Sequence, residues 1–262
     1  MNNAPHGEPL TRKYYGMTIG IGLICKDGVV LASDSKTEYE GSVEGESRRK
    51  RFDLEKISLL ECGDMKCAIA RSGMTVLSGN ALRLINEAVA TNPPNNVSDL
   101  LEVVRKAVAQ TRRGFLESNP MMVYADPTGR FELILAVLHG DSPLLYVFPS
   151  HTNWYVSERS TAYIGSGRLL ADHLLSGVNW LNYSADKAIY AAVYATEIAK
   201  LKDSECEGQT LVVFISKNNH TLANQVEVNR ISAECLKFKR QNEAHWITSL
   251  GDWITAPFAG EK

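Results

Sequence analysis

The sequence predicts an α+β fold in which antiparallel β-sheets are packed between layers of helices. Three observations lead to this prediction. The predicted strands come in groups joined by short turns, and the predicted helices come in pairs between those groups. The first two strands are joined by an Asp-Gly turn, which is typical of a hairpin. The single alternating strands and helices of a doubly wound sheet are absent from the pattern. No internal repeat or linker interrupts residues 18–230, so one domain is expected there.

The composition is typical of an ordinary globular chain. Its 262 residues are 44% hydrophobic and 22% charged, with a formal net charge of −2, which is enough chain for one sizeable core. A charge this close to zero gives no support for binding to nucleic acid or to an anionic membrane. The basic run at 48–51 is flanked by acidic residues, so a solvated loop is the better interpretation of it. No apolar run in the sequence reaches the roughly 20 residues of a membrane-spanning helix.

The first residues and the cysteines bear on localisation and on metal binding. Residues 1–17 are rich in polar and turn residues and lack the apolar segment of a secretory signal, so we expect a flexible extension or a removable leader. The five cysteines are then expected to stay reduced in the cytoplasm. No Cys and His pairs stand at zinc-ligand spacing, so neither a metal nor another cofactor is expected.

The stretch Met17–Lys36, MTIGIGLICKDGVVLASDSK, predicts a buried hairpin. Its two nearly continuous apolar runs suit strands covered on both faces, and Asp27-Gly28 between them is a strong turn signal. Thr18 heads the first strand and Asp34 ends the second. Because a hairpin returns its second strand beside its first, Thr18 and Asp34 are expected to lie close together.

The remaining pattern predicts helices and strands in the order that this fold class needs. Apolar residues at helical spacing predict helices at 75–91, 97–118, 169–176, 185–201 and 231–254. Apolar runs bounded by turn signals predict strands at 56–60, 66–70, 132–139, 144–148, 154–156, 162–164, 209–216 and 222–228. The charged segment 37–53 is expected to be a loop or an irregular excursion, and residues 231–262 a C-terminal helical extension.

Five landmarks in one order resemble a 20S proteasome β-type subunit. The first is Thr-x-Gly-Ile-x-x-x-Cys-Lys-Asp-Gly-Val-Val-Leu-Ala-x-Asp at 18–34; bacterial relatives of the Anbu type look similar in starting Met-Thr. The others are Lys56-Ile-x-x-Leu, the small-residue strand 68–73, Ile-Gly-Ser-Gly at 164–167 and Asp203 after a long helix. The resemblance covers residues 17 to about 228. It implies an N-terminal-nucleophile hydrolase fold, a four-layer αββα sandwich of two antiparallel sheets.

The resemblance also implies roles for individual residues and for partners. The catalytic set would be the nucleophile Thr18, Lys56 beside its hydroxyl and Asp34 as the carboxylate partner of that lysine. Three further residues, Ser166, Asp203 and Cys206, would lie around the terminal amine. The backbone N–H of Ala70 would face the oxyanion. An extended peptide or unfolded protein would add as a strand beside Thr37, Glu38, Ala68 and Ala70. Homo-oligomeric rings are implied, which an ATP-dependent unfoldase could feed.

General chemistry supports these residue types. A threonine hydroxyl is a poor nucleophile until a neighbouring base takes its proton. A free α-amine, whose pKa is about 7.7–8.0, can do so on the same residue. A buried lysine stabilises the alkoxide-like state, and a carboxylate keeps that lysine charged and oriented.

The sequence departs from the family pattern at five positions. Met17 precedes Thr18 where catalytic subunits have glycine, so either autolysis removes a leader or Met17 is the true start, whose removal exposes Thr18. Cys206 stands where a serine is common, and a thiol is only a weak donor. Ala70 stands where a glycine is common. Lys36 and Glu38 replace the usual neighbours of the substrate strand, so side-chain specificity does not carry over.

The leading hypothesis is a cytoplasmic threonine-type endopeptidase of the proteasome family. It would form an acyl-enzyme ester on Thr18 and hydrolyse that ester with water. Two alternatives stay open. One is a non-catalytic structural ring subunit that keeps its leader, and the other is an amidase or transpeptidase on the same fold.

Overall fold

The computed structural model describes residues 18–43, 46–53, 55–119, 130–152, 154–158, 160–203, 206–218 and 220–241, with the backbone alone at 37–53 and at 240. The strands in this part of the chain are β1 Ile19–Cys25, β2 Gly28–Asp34, β3 Lys36–Val43, β4 Glu46–Asp53, β5 Ile57–Cys62, β6 Met65–Gly73, β7 Phe131–His139, β8 Ser142–Pro149, β9 Val156–Glu158, β10 Thr161–Gly165, β11 Thr210–Ile215 and β12 His220–Leu222. The helices are α1 Thr75–Thr91, α2 Val97–Ser118, α3 Arg168–Leu175, α4 Ala185–Lys202 and α5 Gln225–Gln241.

The strands form two five-stranded antiparallel sheets that pack face to face. The first sheet has the order β10-β1-β2-β11-β12 and the second β5-β6-β7-β8-β9. An apolar core joins the two sheets, with members such as Leu31, Ala68, Ile134 and Val213. Helices α3, α4 and α5 cover the outer face of the first sheet, and α1 and α2 that of the second. The four-layer αββα sandwich expected from the sequence is therefore confirmed.

The opening hairpin forms as the sequence predicts. Strands β1 and β2 pair from Gly20 opposite Ser33 to Cys25 opposite Gly28, and both strands are buried throughout. A Cβ at Gly28 would lie 2.0 Å from the Ile215 carbonyl oxygen, so the turn needs glycine for close approach to β11. The neighbouring Asp27 carboxylate accepts the Ala185 N–H at 2.8 Å, which ties this turn to the beginning of α4.

The expectation of a loop at 37–53 is wrong, because this segment forms the two-stranded sheet β3–β4. The register sets Glu38 opposite Arg51 and Glu40 opposite Arg49. The acidic strand thus pairs with the basic one, and opposite charges at facing positions favour such a pairing. The same charges, examined without their partners, had indicated a solvated loop.

The expectation of a strand at 222–228 is also wrong. Strand β12 ends at Leu222, and α5 begins at Gln225 and continues to Gln241. Asn224 explains the difference, because its side-chain oxygen accepts the Val226 N–H at 2.9 Å in the manner of a helix N-cap. The predicted boundary at 230–231 falls inside α5. The part of the predicted 231–254 helix beyond 241, and the rest of the C-terminal extension, lie outside the described residues.

Candidate active site

Three side chains from three different strand ends meet at the beginning of β1. The Thr18 hydroxyl donates to Asp34 Oδ1, and Lys56 Nζ donates to Thr18 Oγ1 at 2.5 Å. The same ammonium group contacts both oxygens of Asp34, at 3.1 Å and 3.0 Å. The exposed fractions of Thr18, Asp34 and Lys56 are 2%, 0% and 6%. The hydroxyl therefore lies in a buried ion pair that can stabilise negative charge on its oxygen.

The backbone of the first sheet fixes the Asp34 carboxylate. The Ile19 N–H donates to Asp34 Oδ1 at 3.0 Å, so β1 itself holds the carboxylate beside Thr18. Strand β11 closes the other side, because Thr210 pairs with Asp34 in the register. The hairpin argument made from the sequence thus brings Thr18 and Asp34 together as expected.

Burial and charge act on Lys56 in opposite directions. Burial lowers the pKa of the Lys56 ammonium below its ordinary value, while the charge and hydrogen bonds of Asp34 raise it and recover part of that loss. A buried ammonium group without an anion would be unfavourable, but one that is paired with a carboxylate is tolerated. Asp34 therefore helps to keep Lys56 charged next to the Thr18 hydroxyl.

A second polar cluster lies between the end of β10 and the end of α4. Ser166 Oγ donates to Asp203 Oδ2 at 2.5 Å, and the Cys206 thiol is 3.8 Å from Ser166 Oγ and 3.7 Å from Asp203 Oδ2. Burial, with the charges of Asp34 and Asp203, raises the pKa of Cys206 to about 12. The thiol is thus neutral near pH 7 and makes only weak hydrogen bonds here.

Gly165 joins this cluster to the beginning of β1. Its φ is 85°, and a Cβ there would lie 1.9 Å from the Thr18 carbonyl oxygen. The turn that carries Ser166 therefore packs its bare Cα directly on the Thr18 peptide group. The six residues proposed from the sequence as catalytic accordingly form two adjoining clusters.

Glu132 is a residue of this region that the sequence did not indicate. Glu132 Oε2 accepts the Gly165 N–H at 2.9 Å, and Arg168 Nη1 donates to its other oxygen at 3.3 Å. Glu132 is the second residue of β7 in the second sheet, whereas Gly165 is the last residue of β10 in the first. A carboxylate at a strand end has no signal of its own in the sequence, so only the folded chain reveals this link.

The residues predicted to bind substrate lie in two places. Thr37 and Glu38 belong to β3, which begins two residues after Asp34. Ala68 and Ala70 are 0% exposed in the middle of β6, paired with β5 on one side and β7 on the other. The Arg71 N–H donates to Lys56 on the β5 side, so alternation directs the Ala70 N–H toward β7.

Neither a metal-binding cluster nor a membrane-spanning helix is present among the described residues. They contain no group of three or more His, Cys, Asp or Glu side chains that could hold a metal ion. Nor do they include a helix with the length and apolar character to cross a membrane.

The layers and the site together define the class of protein. Two stacked antiparallel sheets lie between helix layers, and a threonine at the head of the first strand meets a lysine and an aspartate. This architecture is that of the proteasome-like N-terminal-nucleophile fold, as the solved neighbours of this chain show.

The comparisons identify a proteasome-like, Anbu-like relative. Anbu from Hyphomicrobium sp. strain MC1 superposes with a TM-score of 0.64 at 14% identity, over 87% of this chain and 97% of that one. The helical assembly of Anbu from Pseudomonas aeruginosa gives 0.67 at 12%, over 86% and 95%. Proteasome subunit beta of Methanobrevibacter smithii is 24% identical over 217 residues, 83% of this chain and 96% of the relative. That of Methanosarcina barkeri is 23% identical over 86% and 98%. No protein-family model matches the chain.

Proposed function

We propose that this protein is a threonine-type peptidase with Thr18 as its N-terminal nucleophile. The observation that carries the proposal is the buried contact of the Thr18 hydroxyl with both Lys56 and Asp34. A surface or core threonine has no need of an ammonium group 2.5 Å from its oxygen. The similarity to proteasome β subunits supports the same assignment.

The proposed reaction is acyl transfer through an ester on Thr18. In a chain that begins at Thr18, the α-amine takes the hydroxyl proton as Oγ1 attacks the substrate carbonyl carbon. The amine then returns that proton to the leaving amine, and the ester remains on Thr18. Water hydrolyses the ester in the second half, with the amine again acting as base. Lys56 stabilises the developing negative charge, and Ser166 with Asp203 orients the amine.

We assign the oxyanion donor to Gly73 and no longer to Ala70. Gly73 lies two residues after Arg71 in β6, so by alternation its N–H also points to the side of β5. At this position β5 has not yet begun, so no β5 residue takes up that N–H. Its φ is 83°, and a Cβ would lie 2.5 Å from the Arg130 carbonyl oxygen, so the position requires glycine. One lost donor of this kind costs about 100- to 1000-fold in rate.

The test compares chains that begin at Thr18, released from a cleavable fusion, with the full-length chain. The Thr18 start is expected to hydrolyse peptide amides, and Thr18→Ala in the same chain to lose that turnover while keeping its fold by circular dichroism. Thr91→Ala, an exposed threonine at the end of α1, is the matched control and should keep full activity. Peptidase activity that remains in Thr18→Ala would show that another residue is the nucleophile.

Intact mass separates the peptidase from a structural subunit. A mature chain that begins at Thr18 supports the peptidase. A purified assembly in which every chain still carries residues 1–17 favours the structural role. Product mass with a competing amine present distinguishes hydrolysis from transpeptidation.

Oligomeric assembly and a cytoplasmic location complete the proposal. One neighbour is itself described as a helical assembly of the Anbu complex, and the proteasome β relatives are subunits by name. We infer that this chain also assembles with copies of itself, acts on peptides or unfolded proteins, and can receive them from an ATP-dependent unfoldase. All five cysteines are free thiols, which agrees with a reducing compartment.

A further inference from the structure

The hairpin β5–β6 holds two cysteines in contact with each other, and the proposed reaction uses neither of them. Cys62 is the last residue of β5 and lies opposite Met65, while Cys67 lies two residues further along β6. Because side chains alternate across a strand, these three residues share one face of the sheet, the face that α1 and α2 cover. The exposed fractions of Cys62 and Cys67 are 1% and 0%. Within this apolar layer the two thiols are hydrogen-bonded to one another.

This hydrogen bond makes the two thiols unequal. It lowers the pKa of the Cys62 thiol below its ordinary value, although burial opposes the change. The same hydrogen bond raises the pKa of the Cys67 thiol, and burial raises it further. The thiolate is the nucleophile in exchange with a disulfide, so Cys62 is the member of the pair that reacts first.

The end of the hairpin gives a reagent access to Cys62. The turn residues Gly63 and Asp64 that follow it are exposed, and a Cβ placed on Gly63 would meet no atom within 4 Å. In the described part of the chain, β5 is an edge strand with β6 as its one neighbour in the sheet. Local opening at the end of such a strand requires less free energy than global unfolding. Cys62 can therefore be reached while the rest of the core stays folded.

We propose that Cys62 and Cys67 are a redox modification site, at which a small disulfide such as glutathione disulfide forms a reversible intramolecular bridge. The Cys62 thiolate attacks one sulfur of glutathione disulfide, which forms a mixed disulfide and releases the first glutathione. The Cys67 sulfur then attacks Cys62 Sγ, which forms the bridge and releases the second glutathione. The two protein thiols lose two protons and two electrons in all, and the two released glutathiones take them up.

The positions of the two cysteines indicate that this bridge is easily reduced. They are diagonal neighbours across the hairpin, and the Cα atoms of such neighbours lie about 7–8 Å apart. A relaxed disulfide spans at most about 6.8 Å between Cα atoms, so the end of the hairpin must tighten to form one. Strained disulfides are more easily reduced than structural ones, which agrees with a transient bridge rather than a permanent one.

The experiment incubates the folded full-length chain with glutathione disulfide, stops the reaction with acid and locates the products by mass spectrometry of unreduced peptides. We expect the Cys62–Cys67 bridge to form, with Cys62 reacting at least about 10-fold faster than Cys25, since each pKa unit changes the thiolate fraction tenfold. Cys25 is the internal control, because it is also 1% exposed beside a tight turn. Burial raises the pKa of its thiol, which donates to the Gly28 carbonyl oxygen at 3.4 Å.

Three variants distinguish a bridge from modification of single cysteines. Cys67→Ser should stop at the mixed disulfide of Cys62 with glutathione, and Cys62→Ser should leave Cys67 unmodified. Cys25→Ser is the matched control and should form the bridge as the wild type does. An excess of reduced glutathione should then restore both thiols of the bridged chain.

The wild-type chain alone can overturn the proposal. It is wrong if both cysteines remain thiols, if only the mixed disulfide forms, if Cys25 reacts as fast as Cys62, or if reduced glutathione does not open the bridge. If a variant does not fold, these products of the wild-type chain decide. None of these outcomes depends on peptidase activity.

Discussion

The protonation of Lys56 depends on one neighbour. Asp34 contacts its ammonium group through both oxygens, and no other charge that acts on Lys56 ranks above that carboxylate. The Thr18 hydroxyl needs a charged lysine rather than a neutral one, since only the cation stabilises an alkoxide. In the proposed reaction, Asp34 would thus influence the Thr18 hydroxyl through Lys56 without itself reacting.

We predict that Asp34→Asn lowers the pKa of Lys56 further. Burial already favours the neutral amine, and the substitution removes the carboxylate that opposes it. A pH titration of ¹³C-labelled lysine side chains by NMR measures this directly. Asp141→Asn, at an exposed ion pair with Lys217, is the control and should leave the Lys56 titration where it was. An unchanged or higher Lys56 pKa in Asp34→Asn would contradict the role given to the carboxylate.

The sign of the effect on stability follows from the same shift. The Lys56 pKa is lower in the folded chain than the ordinary value of 10.5. Between these two pH values the unfolded chain holds a proton that the folded chain lacks, so the free energy of unfolding gains from Lys56 as the pH rises. As the pH falls through the folded pKa, this contribution is lost.

Sequence reasoning reached some of these residues and missed others for a physical reason. Thr18 and Asp34 are joined by a hairpin, so a local turn signal was enough to bring them together. Lys56 entered through the family resemblance. Glu132 contacts a turn 33 residues away in the sequence, and it has no local pattern that would indicate this contact.

At the level of elements, the beginning of β7 supports the turn after β10. Glu132 bridges the two sheets by accepting the Gly165 N–H, next to the residue whose Cα packs on the Thr18 peptide group. A shift of this turn would move Ser166 away from the beginning of β1. We therefore infer that Glu132 is a positioning residue, which would act on the proposed reaction through the turn.

Replacing Glu132 by alanine is expected to lower kcat about 10-fold or more in the chain that begins at Thr18, because misplacement by about 1 Å can cost 100-fold. KM should change less, since Glu132 does not touch the peptide. Glu132→Gln keeps an acceptor oxygen and should restore most of the rate. Equal kcat in Glu132→Ala and the wild type would contradict the positioning role of Glu132. Glu158→Ala, in β9 of the same sheet, serves as the control.

Elements were predicted well where the signal was local and poorly where it was not. Helices α1 and α2 have the predicted bounds because proline-containing segments end them. The β3–β4 pair was missed because each strand is polar and shows no apolar pattern by itself. The acidic and basic residues stand opposite one another only once the two strands are paired. Strand β9 begins at Val156 and not at Trp154, a shift of the kind that strand ends commonly show.

At the level of the whole molecule, a buried polar cluster around Glu197 links two helices and a strand behind the site. Glu197 Oε1 accepts hydrogen bonds from Lys200 at 2.9 Å, Thr210 at 2.6 Å and Ser232 at 3.1 Å. These residues belong to α4, β11 and α5, and Thr210 pairs with Asp34. This polar cluster thus joins the helix layer to the strand beside the Asp34 carboxylate.

Glu197→Ala is predicted to lower the free energy of unfolding by roughly 3 kcal/mol or more, because it leaves Lys200 partly buried without its carboxylate. Urea unfolding followed by circular dichroism gives the value. Glu87→Ala removes an exposed ion pair with Arg83 on α1 and should cost under about 1 kcal/mol. Similar decreases in the free energy of unfolding in the two variants would show that the Glu197 cluster is no stronger than an exposed ion pair.

The layered architecture was predictable from the order of elements, but the strand order was not. Helices in pairs between strand groups leave few alternatives to a sandwich with helices outside. The pairing of β1 with β10 and of β2 with β11 joins segments far apart in the sequence. Local patterns carry no information about such partners, so the two clusters of the site could be brought together only by resemblance.

The grip on Thr18 has a consequence for latency. Its hydroxyl is held by Lys56 and Asp34, and its carbonyl oxygen lies against Gly165, so every restraint described here acts on the side chain or on the carboxyl side of the residue. None of them depends on whether the bond to Met17 is present. If the proposed function holds, we expect the uncut chain to be an inactive precursor in which these contacts are already made, so that cleavage of the Met17–Thr18 bond activates it without refolding.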